Sequence, residues 1–207
     1  MPAHPKLKLG FLASHGGSSM RAILAAIRAG ELDAEARLMV TNNPDSPAMA
    51  AAKAAGAPAR CINAASEGGA EAADRAIAEA MAQAGVELIV LSGYLRPVGP
   101  VTLARYAGRI LNVHPALLPQ YGGRGLYGRR VHEAVHAAGD AVSGATIHLV
   151  DADYDTGPIL AQQEIPIDPA DSPQDIEQKV MALEPGLFVR TLQRIAAGDL
   201  VLPDRHL

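Results

Sequence analysis

The chain has 207 residues, a formal net charge of −4, an aromatic content of 3% and a single cysteine. The acidic balance argues against a general nucleic-acid-binding protein, and the scarcity of aromatic residues disfavours a base-stacking surface. One cysteine excludes an internal disulfide and fits a reducing cytoplasm best, and no stretch approaches the ~18 apolar residues of a membrane span.

The first half of the chain alternates apolar runs with segments of helical periodicity. The strands predicted there are Leu7–Ala13, Arg37–Thr41, Ala59–Asn63, Val86–Ser92 and Arg109–Val113. The predicted helices are one that begins near Ser18 or Ser19, both favourable caps, and three that cover Met49–Ala55, Glu71–Ala84 and Val101–Tyr106. Apolar strands that alternate with helices predict an α/β fold with a mostly parallel sheet covered on both faces.

The second half of the chain begins with a segment rich in Pro and Gly, 115–128, which predicts a long loop. The elements predicted after it are a helix at His132–Ala138, strands at Ser143–Val150 and Ile159–Ile165, and a closing helix at Gln174–Ala197. Small or polar residues alternate with apolar ones in Ser143–Val150, which predicts a more exposed strand. The pair Pro185–Gly186 leaves the continuity of the last helix open. No internal repeat or change of composition divides the chain, so we expect one domain over residues 1–207.

The turn after the first strand, Ser14-His-Gly-Gly17-Ser18-Ser19, carries two glycines and several hydroxyl groups. Glycines let a ligand approach the backbone, and the free N–H groups at the start of a helix attract anions. A plain strand-to-helix turn with a serine cap needs fewer such residues, so phosphate binding is favoured. The turn lacks the lysine of a P-loop, which disfavours a nucleoside triphosphate site.

His132-Glu133-Ala-Val-His136 matches the H-E-x-x-H pattern of zinc proteases. Such a site needs a third protein ligand, and Val142 stands where the extended pattern has histidine. A polar surface helix is therefore the favoured interpretation, and a zinc metalloprotease is kept as a distant alternative.

Two other motifs match known ligand loops only in part. Asp151-Ala-Asp153-Tyr-Asp155 begins like a calcium loop, but its glycine falls one place late and Gln162 replaces the final glutamate. The segment Gly123–Gly128 has the spacing G-x-G-x-x-G but does not follow a strand, so a flexible or ligand-covering loop is favoured over a dinucleotide site.

Asn112 and His114 are two residues apart on a predicted strand, so their side chains point to the same side of the sheet. Pro115 ends that strand, which puts both groups at the carboxyl edge of a parallel sheet, the usual ligand crevice. Asp155, followed by Thr-Gly157-Pro, stands beside a second turn. These three residues would supply a hydrogen-bond donor, a group that titrates near neutrality and a charge that tunes it.

The segment Asn112-Val-His114-Pro-Ala-Leu-Leu-Pro119 resembles the N-[IV]-H-P-[SA]-L-L-P signature of the folate-dependent formyltransferases. Further segments that resemble the same family are Gly17–Ser19, Gly93–Arg96, the loop Tyr121–Gly128 (in one variant branch), Gly144–Val150 and Asp155–Ile159. The resemblance extends from the first strand to the last helix. It implies a Rossmann-like formyltransferase fold with helices on both faces of the sheet and a C-terminal helix.

The resemblance also implies a cytoplasmic enzyme of purine biosynthesis. Its reaction would transfer the formyl group of 10-formyltetrahydrofolate, a co-substrate, to the amine of 5-phosphoribosylglycinamide, without a metal. Asn112 and His114 would stabilise the oxyanion, while Asp155 would raise the pKa of His114 and organise a water. The substrate-binding residues that it implies are Gly17, Ser18, Ser19 and Glu184, and the folate-binding residues are Leu95, Arg96, Pro97, Val98 and Asn112.

The chain departs from the family pattern at Ser19, Ala70 and Pro185. These positions concern binding more than chemistry, so another amine stays open as the acceptor. The sequence also leaves a homodimer open.

Overall fold

The structure, a computed structural model, describes residues 6–204 and contains a seven-stranded mixed sheet. The strands are β1 Leu7–Ala13, β2 Ala34–Thr41, β3 Ala59–Cys61, β4 Leu88–Leu91, β5 Ile110–His114, β6 Val142–Leu149 and β7 Ile159–Pro166. The helices are α1 Ser18–Ala29, α2 Pro47–Ala54, α3 Ala64–Glu67, α4 Ala70–Gln83, α5 Pro100–Arg105, α6 Arg129–Ala138 and α7 Pro173–Ala196. No helix within residues 6–204 is long and apolar enough to cross a bilayer.

The strand order is β3-β2-β1-β4-β5-β6-β7, and the first five strands of that order are parallel. β6 and β7 are added antiparallel at one edge. The order reverses between β1 and β4, and such a switch point opens a crevice at the carboxyl ends of the strands. The α/β fold with a mostly parallel sheet, as predicted, is confirmed.

Apolar side chains on both faces of the sheet are covered by helices. Phe11 on β1 faces a core that includes Met20 of α1 and Phe188 of α7. The next residue, Leu12, faces the opposite core, which includes Met81 of α4. Successive residues of one strand therefore fill two separate cores, which is why the central strands are apolar throughout.

Strand β6 corrects one expectation from the sequence. We expected a more exposed strand there, but every residue of β6 except Val142 is buried. β6 lies between β5 and β7, and its Ala145 and Ile147 belong to the core that contains α7. The glycine in this strand is needed because β7 lies close to it: a Cβ on Gly144 would lie 2.1 Å from the carbonyl oxygen of Gln163.

The cap of the first helix differs from expectation, and the last helix is continuous at the point that the sequence left open. Helix α1 is capped by the backbone of Gly17, at φ 59°, and by no serine side chain. Helix α7 continues through Pro185, because buried residues before and after the proline, such as Val180 and Phe188, hold both halves on the sheet. Packing therefore outweighs the hydrogen bond that the proline removes.

Candidate active site

Asn112 and His114 lie on β5 at the carboxyl edge of the sheet. Both side chains point to the same side, and in the antiparallel pairing they stand opposite His148 and Thr146 of β6. His114 is only 3% exposed. The strand thus places an amide and a buried imidazole on the same side of the sheet near its carboxyl edge, as their spacing predicted.

The hydrogen bonds of His114 define which ring nitrogen carries its proton. Nε2 lies 2.8 Å from the carbonyl oxygen of Tyr121. A carbonyl oxygen can only accept, so Nε2–H donates and the neutral ring has its lone pair on Nδ1. Nδ1 lies 3.5 Å from Oδ2 of Asp155. Nδ1 is therefore the nitrogen that can exchange a proton with a bound substrate.

Burial lowers the pKa of His114 below its usual value, because the charged ring would lose its hydration. The carboxylate of Asp155 and the carbonyl of Tyr121 act in the opposite direction, and His148 adds to the lowering. The contribution of Asp155 therefore has the expected sign, but burial is the larger effect and the pKa of His114 is lowered overall. His114 is neutral near pH 7, and Nδ1 is a proton acceptor.

Asp155 is held by its own backbone and by the neighbouring loop. Its φ of 57° lies in the left-handed region, which aspartate tolerates better than most residues. The N–H of Gly123 donates to Oδ2 of Asp155 at 3.0 Å. Position 157 requires glycine, because a Cβ there would lie 2.0 Å from the carbonyl oxygen of Leu149. The Asp-Thr-Gly segment therefore fixes the carboxylate against the end of β6.

His148 is a residue of the site that the sequence did not single out. Its Nδ1–H donates to the carbonyl of Leu149 at 2.9 Å, so Nε2 is the acceptor and lies 3.3 Å from Nδ2 of Asn112. Nε2 also lies 3.5 Å from Oδ1 of Asp155. Burial lowers the pKa of His148, which keeps the ring neutral and able to orient the Asn112 amide. Only the antiparallel register of β5 and β6 brings His148 opposite Asn112, and that register cannot be read from a motif.

A cleft of about 190 Å³ adjoins these groups. Its lining includes Asn112, His148 and Asp155, together with Tyr94, Leu91, Arg96, Pro97, Val98, Leu103 and Val150. Three of the four predicted folate-binding residues after β4 therefore line it. The fourth, Leu95, has a side chain that is 65% exposed and a backbone N–H that donates to Oγ of Ser14 at 2.8 Å. A larger groove of about 470 Å³ between α4 and α5 contains none of the predicted site residues.

The turn after β1 lies beside the segment that lines this cleft. The N–H of Ser14 donates to the carbonyl of Gly93 at 3.1 Å, which ties the two loops together. In the first turn of α1, the N–H of Met20 donates to Oγ of Ser92. The N–H groups of Ser18 and Ser19 belong to the first turn of α1, where a helix offers no intrahelical carbonyl to accept them. Such groups attract an anion.

Glu184 lies in the middle of α7 and is half-buried. Burial alone raises the pKa of its carboxyl group to about 7. No hydrogen bond or charged partner within residues 6–204 contributes to this shift.

The two histidines of the H-E-x-x-H pattern have different environments. His136 is exposed, whereas His132 is 2% exposed and its Nδ1 has no hydrogen-bond partner among the described residues. The expectation of a surface position is therefore wrong for His132. Within residues 6–204, no group of three or more His, Cys, Asp or Glu side chains is arranged to hold a metal ion.

Comparison with known proteins gives a consistent result. Residues 7–192 match the family model described as formyl transferase. A phosphoribosylglycinamide formyltransferase of Bacillus subtilis is 37% identical over 177 residues, which cover 86% of this chain and 88% of that protein. The chloroplastic enzyme of Arabidopsis thaliana is 35% identical over 91% of this chain, which spans 65% of the plant protein's length.

Among solved structures, the glycinamide ribonucleotide transformylase 1 of Symbiobacterium toebii superposes with a TM-score of 0.88 at 30% identity, over 97% of this chain and 92% of that chain. The family expected from the sequence is therefore confirmed. The chain belongs to the formyl transferase family.

Proposed function

We propose that the protein transfers the formyl group of 10-formyltetrahydrofolate to the amine of 5-phosphoribosylglycinamide, a step of purine biosynthesis. The observation that carries the proposal is the buried His114, whose Nδ1 lies beside Asp155 and whose side chain is on the same side of β5 as Asn112, and Asn112 and Asp155 both line the cleft. The names of the relatives support the choice of substrates. The single cysteine supports a reducing compartment such as the cytoplasm.

The proposed binding mode divides the crevice between the two substrates. The pterin of the folate would enter the cleft, where Pro97, Val98 and Leu103 offer apolar surface and the Asn112 amide offers hydrogen bonds. The phosphate of the ribonucleotide would bind at Gly17, Ser18 and Ser19, where the N–H groups of the first helical turn have no intrahelical acceptor. Glu184, protonated near its pKa of about 7, would donate a hydrogen bond to the ribose or glycinamide end.

The proposed reaction begins with attack of the neutral amine on the formyl carbon. The C=O π electrons move to oxygen, and the Asn112 amide donates to the oxyanion. The amine nitrogen loses a proton to Nδ1 of His114, which becomes an imidazolium beside the Asp155 carboxylate. The bond from the formyl carbon to N10 of the folate then breaks, and N10 takes the proton from Nδ1. The products are the formamide and tetrahydrofolate, and His114 is neutral again.

Asp155 would act mainly after the proton has moved. A neutral imidazole gains little from a carboxylate 3.5 Å away, whereas an imidazolium in this buried site gains a charge partner. The interaction is therefore stronger in the transition state than in the ground state, as catalysis requires. His114 supplies both the base and the acid, the Asn112 amide supplies the oxyanion donor, and the Asp155 carboxylate supplies the charge partner, so the proposed reaction needs no metal ion.

A formyl-transfer assay with a panel of amines tests the proposal. The donor is 10-formyltetrahydrofolate, and the acceptors are 5-phosphoribosylglycinamide, an amino sugar nucleotide and water. We expect efficient transfer to 5-phosphoribosylglycinamide alone. Efficient transfer to another amine would refute the proposed acceptor but not the proposed formyl transfer. No transfer to any acceptor would refute both proposals.

A further inference from the structure

Tyr121 occupies a backbone conformation that is unfavourable for its residue type. Its φ of 57° lies in the left-handed region, which is unfavourable for a residue that has a Cβ. Such a conformation persists when the surroundings determine it, and this often marks a functional constraint. In this conformation the Tyr121 carbonyl oxygen accepts the hydrogen bond from Nε2 of His114 at 2.8 Å.

The side chain of Tyr121 is fixed at a point away from the reacting groups. Its hydroxyl group donates to Oδ2 of Asp140 at 2.6 Å, and its ring packs against the core. Asp140 lies in the short connection between the end of α6 and the start of β6, outside the loop that carries Tyr121. This hydrogen bond to a carboxylate also raises the pKa of the Tyr121 hydroxyl.

The same loop reaches the second reacting side chain two residues later. The N–H of Gly123 donates to Oδ2 of Asp155, the oxygen that faces Nδ1 of His114. One short segment therefore binds the far side of the imidazole through Tyr121 and the carboxylate through Gly123. The position of this segment sets both the tautomer of His114 and the separation of His114 from Asp155.

We propose that Tyr121 and Asp140 form a positioning pair, which holds the loop carbonyl so that the proton of His114 stays on Nε2 and Nδ1 stays free for the substrate. Neither side chain touches the reacting atoms, and their effect on turnover rests on the function proposed above. The effect on the tautomer does not depend on that function.

The test combines kinetics with nitrogen NMR of the histidine rings. In wild-type protein, His114 is expected as the Nε2–H tautomer. In Tyr121→Phe and Asp140→Ala we expect a mixture of tautomers at His114. We also expect kcat to fall about tenfold with little change in the KM of either substrate, and the acid limb of the profile of kcat against pH to be displaced. The double variant should have the same kcat as either single variant, because each substitution removes the same hydrogen bond. Asp140→Asn keeps an acceptor oxygen and should restore most of the rate even if Asp140→Ala folds poorly.

Tyr127→Phe is the matched control, since Tyr127 is in the same loop but is 63% exposed and stacks under Arg130. Within residues 6–204 its hydroxyl group makes no hydrogen bond. The substitution should leave the tautomer and kcat unchanged. The proposal is overturned if Tyr121→Phe leaves the His114 tautomer as in wild type, whether or not kcat falls. If the wild-type protein transfers no formyl group, the proposed function fails, while the tautomer measurement still decides the role of this pair.

Discussion

Replacing Glu184 by glutamine removes a carboxyl group that the folded protein holds in an unfavourable environment. Burial raises the pKa of Glu184 from 4.5 to about 7, with no opposing partner. The folded protein therefore binds a proton more tightly than the unfolded chain does. Stability linked to this group is fully present below pH 4.5 and is lost as the pH rises through about 7.

The size of the effect follows from the displacement of the pKa. A difference of about 2.5 units, from 4.5 to about 7, corresponds to about 3 kcal/mol once the carboxyl group is ionised in both states. Glutamine has nearly the same shape and carries no charge. The stability of Glu184→Gln relative to wild type should therefore increase by about 2–3 kcal/mol between about pH 5 and about pH 8.

Urea unfolding of both proteins at these two pH values measures the difference directly. Other titrating groups are common to both proteins, so they cancel in the comparison. Glu133→Gln is the control, because Glu133 is exposed on α6, and it should change stability by less than about 0.5 kcal/mol at either pH. Equal stability differences at the two pH values for Glu184→Gln would show that Glu184 is not buried as described, and would refute the reasoning.

Three further predictions concern the catalytic histidine, the aspartate turn and the buried histidines. His114→Ala should lower kcat about 1,000-fold while the circular dichroism spectrum stays unchanged, and a retained rate would refute the role of Nδ1. Gly157→Ala should destabilise the protein by about 2 kcal/mol, because its Cβ would overlap the carbonyl oxygen of Leu149, whereas Gly16→Ala, with nothing within 4 Å, should change urea stability little. The pKa values of His114, His132 and His148 are all lowered by burial, so the unfolded chain binds more protons below about pH 6.5. In the Glu184→Gln background, stability should accordingly rise with pH up to about 6.5, and a flat profile would contradict the burial of these rings.

Local patterns in the sequence were sufficient to predict the parallel half of the fold and the edge at which the site lies. The apolar runs of β1, β4 and β5 determine the sheet, and the i, i+2 spacing of Asn112 and His114 before Pro115 puts both groups on one side of its carboxyl edge. Features that depend on packing between distant segments were not predictable. The burial of β6 follows from its place between β5 and β7, and the role of His148 follows from an antiparallel register.

The pKa of His114 shows the same limit on prediction. A nearby aspartate suggested a raised pKa, and Asp155 does act in that direction. The burial of the ring, which cannot be read from the sequence, decides that the pKa of His114 is lowered rather than raised. The consequence for the proposed mechanism is that His114 would enter the reaction as a neutral base and would become the cation only when the amine has attacked.

The proposed transfer is tested most directly by following the formyl carbon itself. With 10-formyltetrahydrofolate labelled with carbon-13 in the formyl group and an equal amount of 5-phosphoribosylglycinamide, NMR distinguishes the label in the folate, in formate and in the product formamide. The account predicts that the label moves into the formamide of 5-phosphoribosylglycinamide, with tetrahydrofolate formed in equal amount. Release of the label as formate, or its retention on the folate, would contradict the account.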